Sequence, residues 1–373
     1  MQRQQQLTAW LHSQFPGEAF TLAPASADAS FRRYFRVTFA DGATRIVMDA
    51  PPQHEDCRPF LHIAKLFEDA GTHVPHVYAQ DLQQGFLLLS DLGNTTYLQA
   101  LSADTARGLY GAATDALIRI QLASRANELP PYDEALLRRE LNLFPEWYVA
   151  KHLGVTLTDK QRAKLEEIFA RILANNLAQP RVYVHRDYHS RNLMYIEPPL
   201  SNSLPSPSPQ SSPASGRGSK RDKQLLISAG ERTNGKGFLI SPGILDFQDA
   251  VYGPITYDLA SLFKDAYIKW EEAEIMDWLI RYWEKARKAG LPVGADFGQF
   301  YRDYEWMGVQ RHIKVLGIFA RLYHRDGKEG YLKDMPLVMD YLRRACDRYI
   351  ELKPLLNLLD ELEPRQVKTG YTF

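Results

Sequence analysis

The sequence predicts an α+β protein of two lobes: a small β-rich N-terminal lobe over residues 1–92 and a larger helical C-terminal lobe over 93–373. Three observations lead there. Short strand-like runs crowd into the first ninety residues, at Phe31–Val37, Thr44–Asp49, Val74–Ala79 and Phe86–Leu89. From Tyr97 onward, apolar residues recur at helical spacing instead. Finally, 373 residues exceed what one small core organises, so a bilobal unit or two domains is expected.

In chain order, Leu7, Trp10, Leu11 and Phe15 carry the spacing of an N-terminal helix. Ala25 to Ser30 is a run of small residues leading into the alternating aromatic and basic run Phe31–Val37, a turn entering a strand. Such a turn lets backbone N–H groups approach phosphates, which makes Ser30, Arg32 and Arg33 candidates for a nucleotide's phosphate end. Thr44–Asp49 is the next strand, stopped by Pro51 and Pro52. Asp56–Ala70 is an amphipathic helix with Phe60, Ile63, Ala64 and Phe67 on one face, and Gly71 ends it.

In the C-terminal part, Thr105–Ala123 forms a long core helix and Pro130-Pro131 breaks the pattern. Asp133–Leu153 and Lys160–Ala174 resume it. Trp147 lies in the second of these helices, where an aromatic face can stack on a sugar ring and line an acceptor site. Residues 198–236, rich in Ser, Pro, Gly and basic side chains, cannot bury enough apolar surface to offset ordering entropy. They are expected to be a disordered insertion at a hairpin tip. Three further helices follow, at Ile275–Ala289, Phe297–Leu322 and Met335–Leu359. Arg311 and Lys314 share one face of the middle one, a cationic pair suited to a substrate carboxylate.

The chemistry concentrates in two segments, Val182–Leu193 and Gly243–Asp249. Each leaves a short apolar strand for polar residues, and such strand ends are where catalytic groups collect. Asp187 and Asn192 stand in one loop, and Asp246 follows the second apolar run. Phosphoryl transfer needs such a set: one carboxylate for the hydroxyl proton, and a second carboxylate with an amide oxygen for Mg²⁺.

His185-Arg-Asp187 with His189 and Asn192, then Asp246-Phe-Gln-Asp249 and Tyr257-Asp-Leu-Ala260, resembles the aminoglycoside phosphotransferase family. The resemblance implies a protein-kinase-like fold with ATP and Mg²⁺ as cofactors. Asp187 is then catalytic, Asn192 and Asp246 hold the metal, and Asp258 and His185 are structural residues beside the site. It also implies a hinge at Ser90–Gly93, making Leu89, Asp91 and Leu92 the nucleotide's adenine edge. The family's lysine on the third strand is absent: Met48 and Asp49 stand nearest, and the following helix shows no glutamate partner. Either Asp49 pairs with Arg58 in inverted sense, or Arg32, Arg33 or Arg36 serves the phosphates.

Ser26–Arg36, Val47–Pro52, Leu88–Gly93 and Gln310–Arg321 narrow the resemblance to the family's amino-sugar kinases. These phosphorylate the anomeric C1 hydroxyl of N-acetylmuramate and N-acetylglucosamine in bacterial peptidoglycan recycling. A nucleotidyltransferase would act on the product. A different small-molecule kinase, for an aminoglycoside, choline or homoserine, would keep the same three residues, and a nucleotide-binding pseudokinase is the rival from another class. Zero net charge argues against nucleic acid or an anionic membrane as partner. No apolar run reaches membrane-spanning length, and the N-terminus lacks a signal-like apolar region. Cys57 and Cys346 are the two cysteines, in no metal-like spacing. A cytoplasmic monomer acting on a small molecule is expected.

Overall fold

The computed structural model describes residues 2–27, 31–196 and 241–363. Ser30 and the 198–236 insertion lie outside them. A five-stranded antiparallel sheet is built from β1 (Phe20–Ala27), β2 (Arg33–Phe39), β3 (Thr44–Asp49), β4 (Val77–Asp81) and β5 (Phe86–Ser90), in the order β1-β2-β3-β5-β4. The helix α1 (Gln2–Gln14) covers one face, burying Leu7, Trp10 and Leu11 against Val37, Val47, Phe86 and Leu88. On the other face α2 (Arg58–Asp69) packs Phe60, Ile63, Ala64 and Phe67 with Met48, Leu87 and Leu89, in the core that continues into the helical part. β1 escaped the sequence reading, because Ala-Pro-Ala-Ser is a weak strand signal and its pairing with β2 decides it.

Strand alternation assigns each residue of the sheet to a face. Val47 packs under α1 and Met48 toward α2, so Asp49 returns to the α1 side. Arg33 pairs in register with Asp49, and Tyr34 with Met48. The arginines in β2 and just before it therefore part company. Arg33 faces α1, whereas Arg32 and Arg36 lie on the side of the interlobe cleft.

The remainder is mostly helical: α3 (Tyr97–Ala100), α4 (Ala106–Leu122), α5 (Glu134–Leu143), α6 (Asp159–Leu177), α7 (Tyr257–Phe263), α8 (Glu272–Lys288), α9 (Phe297–Asp326), α10 (Met335–Arg348) and α11 (Lys353–Leu362). Two expected helices are revised. Asp133–Leu153 is α5 followed by a π-helical segment, Phe144–His152, that opens with Pro145. At that junction α9 crosses very closely: a Cβ on Gly317 would lie 2.5 Å from the Leu143 carbonyl carbon. Met335–Leu359 breaks at Tyr349, since Pro354 offers no N–H to the preceding turn and disfavours helix just before it.

Two small ribbons position the site. β6 (Arg181–Val184) pairs with β9 (Val251–Pro254), and β7 (Leu193–Met194) pairs with β8 (Gly243–Ile244). The β7–β8 pairing brings the chain together at Met194 and Gly243, flanking the stretch that contains the insertion. Among the described residues no helix is long and apolar enough to cross a membrane.

Candidate active site

β6 ends at Val184, and the loop that carries Asp187 turns at once on Arg186, whose φ is +78°. Asp246 has φ +62°. Left-handed backbone is uncommon for residues other than glycine, and strain of this kind collects at functional sites. Two buried groups hold the turn. Asp258, at the start of α7, accepts the backbone N–H of His185 at 2.7 Å and of Arg186 at 3.0 Å. Burial pushes its carboxyl up to about 7, against the two donors. His185 donates Nε2–H to the Leu245 carbonyl at 2.9 Å and accepts the Asp187 N–H at Nδ1, 3.3 Å away. Burial pushes this imidazole down to about 4, so it is neutral and can do both. His185 thus ties the loop of Asp187 to the residue before Asp246.

The expected trio converges. The Asn192 amide reaches the Asp187 carbonyl at 3.0 Å and Asp246 Oδ2 at 3.3 Å, and the Leu245 N–H donates to the Asn192 carbonyl at 2.9 Å. Desolvation works to raise the Asp187 carboxyl. The positive charges of Lys314, Arg186 and Arg311 outweigh it and hold the group below the usual carboxylate range. Asp246 is 40% exposed toward solvent and takes the Gln248 amide at 2.7 Å. One carboxylate and one amide oxygen, open to the cleft, form the hard-oxygen donor set that Mg²⁺ accepts alongside nucleotide phosphates and water.

Phe247 packs at 4.8 Å from Phe60 and 5.9 Å from Phe67, ring centroid to centroid, and Phe67 lies 6.2 Å from His185. Aromatic contact therefore couples α2 to the turn that carries Asp246. The interlobe connection is sewn to the same region: Tyr195 N–H to the Thr95 carbonyl at 2.8 Å, Leu98 N–H to the Ser190 carbonyl at 3.0 Å, and Ile244 N–H to the His73 carbonyl at 2.8 Å.

The nucleotide-side candidates separate. Arg32 approaches Asp246 Oδ1 to 4.0 Å. Arg33 instead binds the fully buried Asp49 at 2.5 Å, and Arg3 of α1 joins them at 2.7 Å, so the expected phosphate role of Arg33 is not what its geometry serves. The Asp49–Arg58 pair does not form, since Arg58 pairs with Asp56 at 2.9 Å on the surface. Arg36 forks onto Asp91 at 2.5 and 3.0 Å, and Asp91 also accepts the Gly93 N–H at 3.0 Å. Asp91 is thus a strap for the hinge turn, its carboxylate occupied by Arg36. Leu89 and Leu92 are buried. Leu92 presses on β8 so closely that a Cβ on Gly243 would meet its Cδ1 at 2.9 Å.

On the acceptor side, Arg311 and Lys314 are buried in α9, not solvated on its surface. Lys314 is claimed by Glu140 of α5 at 3.1 Å and by the Tyr257 hydroxyl at 2.9 Å. Glu140 also takes Arg186 at 2.5 Å and the Tyr132 hydroxyl. Sequence reading missed Glu140, although a signal exists: it lies on the same helical stripe as Leu137, Leu141 and Phe144, where a carboxylate needs a buried partner. Trp147 is half-buried in the π-helical segment against the main core, with no hydrogen bond to the catalytic loop among the described residues.

The profile of the phosphotransferase enzyme family matches residues 21–201 and 240–297. The chain is 47% identical to the N-acetylmuramate/N-acetylglucosamine kinase of Neisseria meningitidis serogroup B, over 100% of both chains. It is 46% identical to the enzyme of the same name from Pseudomonas putida, over 97% of both. In fold it is similar to the choline kinase of Streptococcus pneumoniae, at a TM-score of 0.57 and 11% identity, covering 91% of this chain and 99% of that one. The chain belongs to the phosphotransferase enzyme family and has the bilobal kinase-like fold of its members.

Proposed function

We propose that this protein is an ATP-dependent kinase that phosphorylates the anomeric C1 hydroxyl of N-acetylmuramate and N-acetylglucosamine. The observation that carries the reading is the convergence of Asp187, Asn192 and Asp246 in one cleft, in a chain matched end to end by relatives of that name. Asp187, ionised at neutral pH, orients the sugar's C1 hydroxyl and takes its proton as the oxygen bonds to the γ-phosphorus. The bond from that phosphorus to the β–γ bridging oxygen breaks, and ADP leaves. Asn192 and Asp246 would hold Mg²⁺, which when bound offsets the charge of the nucleotide phosphates. Arg32 is the cation placed to meet those phosphates from the sheet side, where Met48 is neutral. The hinge from Leu89 to Leu92 supplies the adenine edge through its backbone.

The α-1-phosphate produced is a substrate for a nucleotidyltransferase that makes the UDP-sugar. We place the protein in the cytoplasm as a monomer, where ATP is abundant and its two buried, unpaired cysteines stay reduced. The test is regiochemistry: phosphorus–proton NMR of the product should show phosphate coupled to H1 of either sugar. Phosphate on C6, or turnover restricted to kanamycin, choline or homoserine, would replace this reading with another kinase of the family.

A further inference from the structure

We infer that Arg311 alone of the cationic pair on α9 receives the carboxylate of an acidic amino sugar, the lactyl group of N-acetylmuramate, while Lys314 is a framework charge. This rests on the amino-sugar kinase reading above. Three charged side chains bear on Asp187, those of Lys314, Arg186 and Arg311, and two of them are explained. Lys314 is bound to Glu140 and the Tyr257 hydroxyl. Arg186 is bound to the same Glu140 and to the Asp249 carbonyl. His189 is a buried imidazole whose burial keeps it neutral.

Arg311 differs. It is 4% exposed, its Nη1 is buried without a hydrogen-bond partner, and among the described residues it makes no ion pair. Leaving a guanidinium nitrogen buried and unpaired is expensive, and a ligand that completes it would remove that cost. It sits on α9 three residues before Lys314, whose partner Glu140 also holds Arg186 next to Asp187, and its charge helps keep the Asp187 carboxyl low. The His189 Nδ1 is a second buried polar atom without a partner in the same region. A sugar with its C1 hydroxyl on Asp187 carries its C3 substituent one ring's breadth away. A planar carboxylate there matches the guanidinium fork, and the neutral N-acetylglucosamine has nothing to offer it. A second arginine nearby, Arg191, lies over Tyr267 at 3.5 Å and 3.8 Å from Asp334, so its charge is already answered.

The test measures kcat/KM for both sugars in Arg311→Met, Arg311→Lys and Lys314→Met. In Arg311→Met the muramate-to-glucosamine ratio should fall about 30-fold or more, mainly through the KM of the muramate. Arg311→Lys should recover part of it, and Lys314→Met should move both sugars together. An unchanged ratio in Arg311→Met would overturn the inference while leaving the kinase reading intact. No turnover of either sugar by the unaltered protein would remove both. Should the variant fail to fold, the unaltered protein is assayed with N-acetylmuramate methyl ester, where the same rise in KM is expected and an unchanged KM refutes the role.

Discussion

Lys314 Nζ lies 3.1 Å from Glu140 Oε1, and the same oxygen takes Arg186 at 2.5 Å. Through Arg186 this buried cluster bears on the strained turn that presents Asp187. Removing the carboxylate strands two cations in the core. Glu140→Gln should therefore lower unfolding free energy by about 3–5 kcal/mol, more than Lys314→Met, which leaves Glu140 still paired. The double variant should lose less than the sum of the singles by about 1 kcal/mol or more. Urea titration of the four proteins checks this, and strict additivity would mean the pair is not coupled.

The adjacent Arg32 and Arg33, one before β2 and one at its start, should behave oppositely. Arg32→Met should cut kcat/KM for ATP about tenfold, the worth of a charge-assisted contact to phosphate. Arg33→Met should leave ATP kinetics near those of the parent and lower the melting temperature, because Asp49 then keeps only Arg3. Steady-state kinetics with varied ATP, beside thermal melts, separates the two. A kinetic defect in Arg33→Met alone would reverse the assignment.

His185 predicts an acid limb of stability. Its folded value of about 4 lies below the unfolded 6.5, so between those values the unfolded chain binds the extra proton. The contribution is complete above pH 6.5 and is lost as pH falls toward 4, amounting to about 3 kcal/mol at 1.36 kcal/mol per unit. His185→Gln keeps a donor for the Leu245 carbonyl and an acceptor for the Asp187 N–H, but it does not titrate. Its stability should fall less steeply than the parent's over pH 6.5 to 4, and identical slopes would contradict the burial argument.

These cases mark what the sequence could reveal. Asp187, Asn192 and Asp246 were legible because strand, loop and residue types lie contiguously in two short segments. The helical C-terminal part was legible from spacing, apart from two breaks that trace to Pro145 and Pro354. Arg32 and Arg33 could not be told apart, since Arg33 is committed to Asp49 by a strand register, and Arg32 brought near Asp246, only in the folded chain. Likewise the face shared by Arg311 and Lys314 was readable, but Glu140, which claims one and not the other, lies far away in the chain. Nothing in local spacing gives a partner at that remove.

The central claim is most directly tested by ADP release from purified protein with ATP and Mg²⁺, offered N-acetylmuramate, N-acetylglucosamine, kanamycin, choline and homoserine in turn. Asp187→Asn serves as the matched variant. The account predicts turnover with the two amino sugars and a fall of about 10² to 10⁴ in kcat in Asp187→Asn, with ATP still bound. ATP binding without turnover on any acceptor, identical in both proteins, would contradict it and identify a nucleotide-binding protein that performs no transfer.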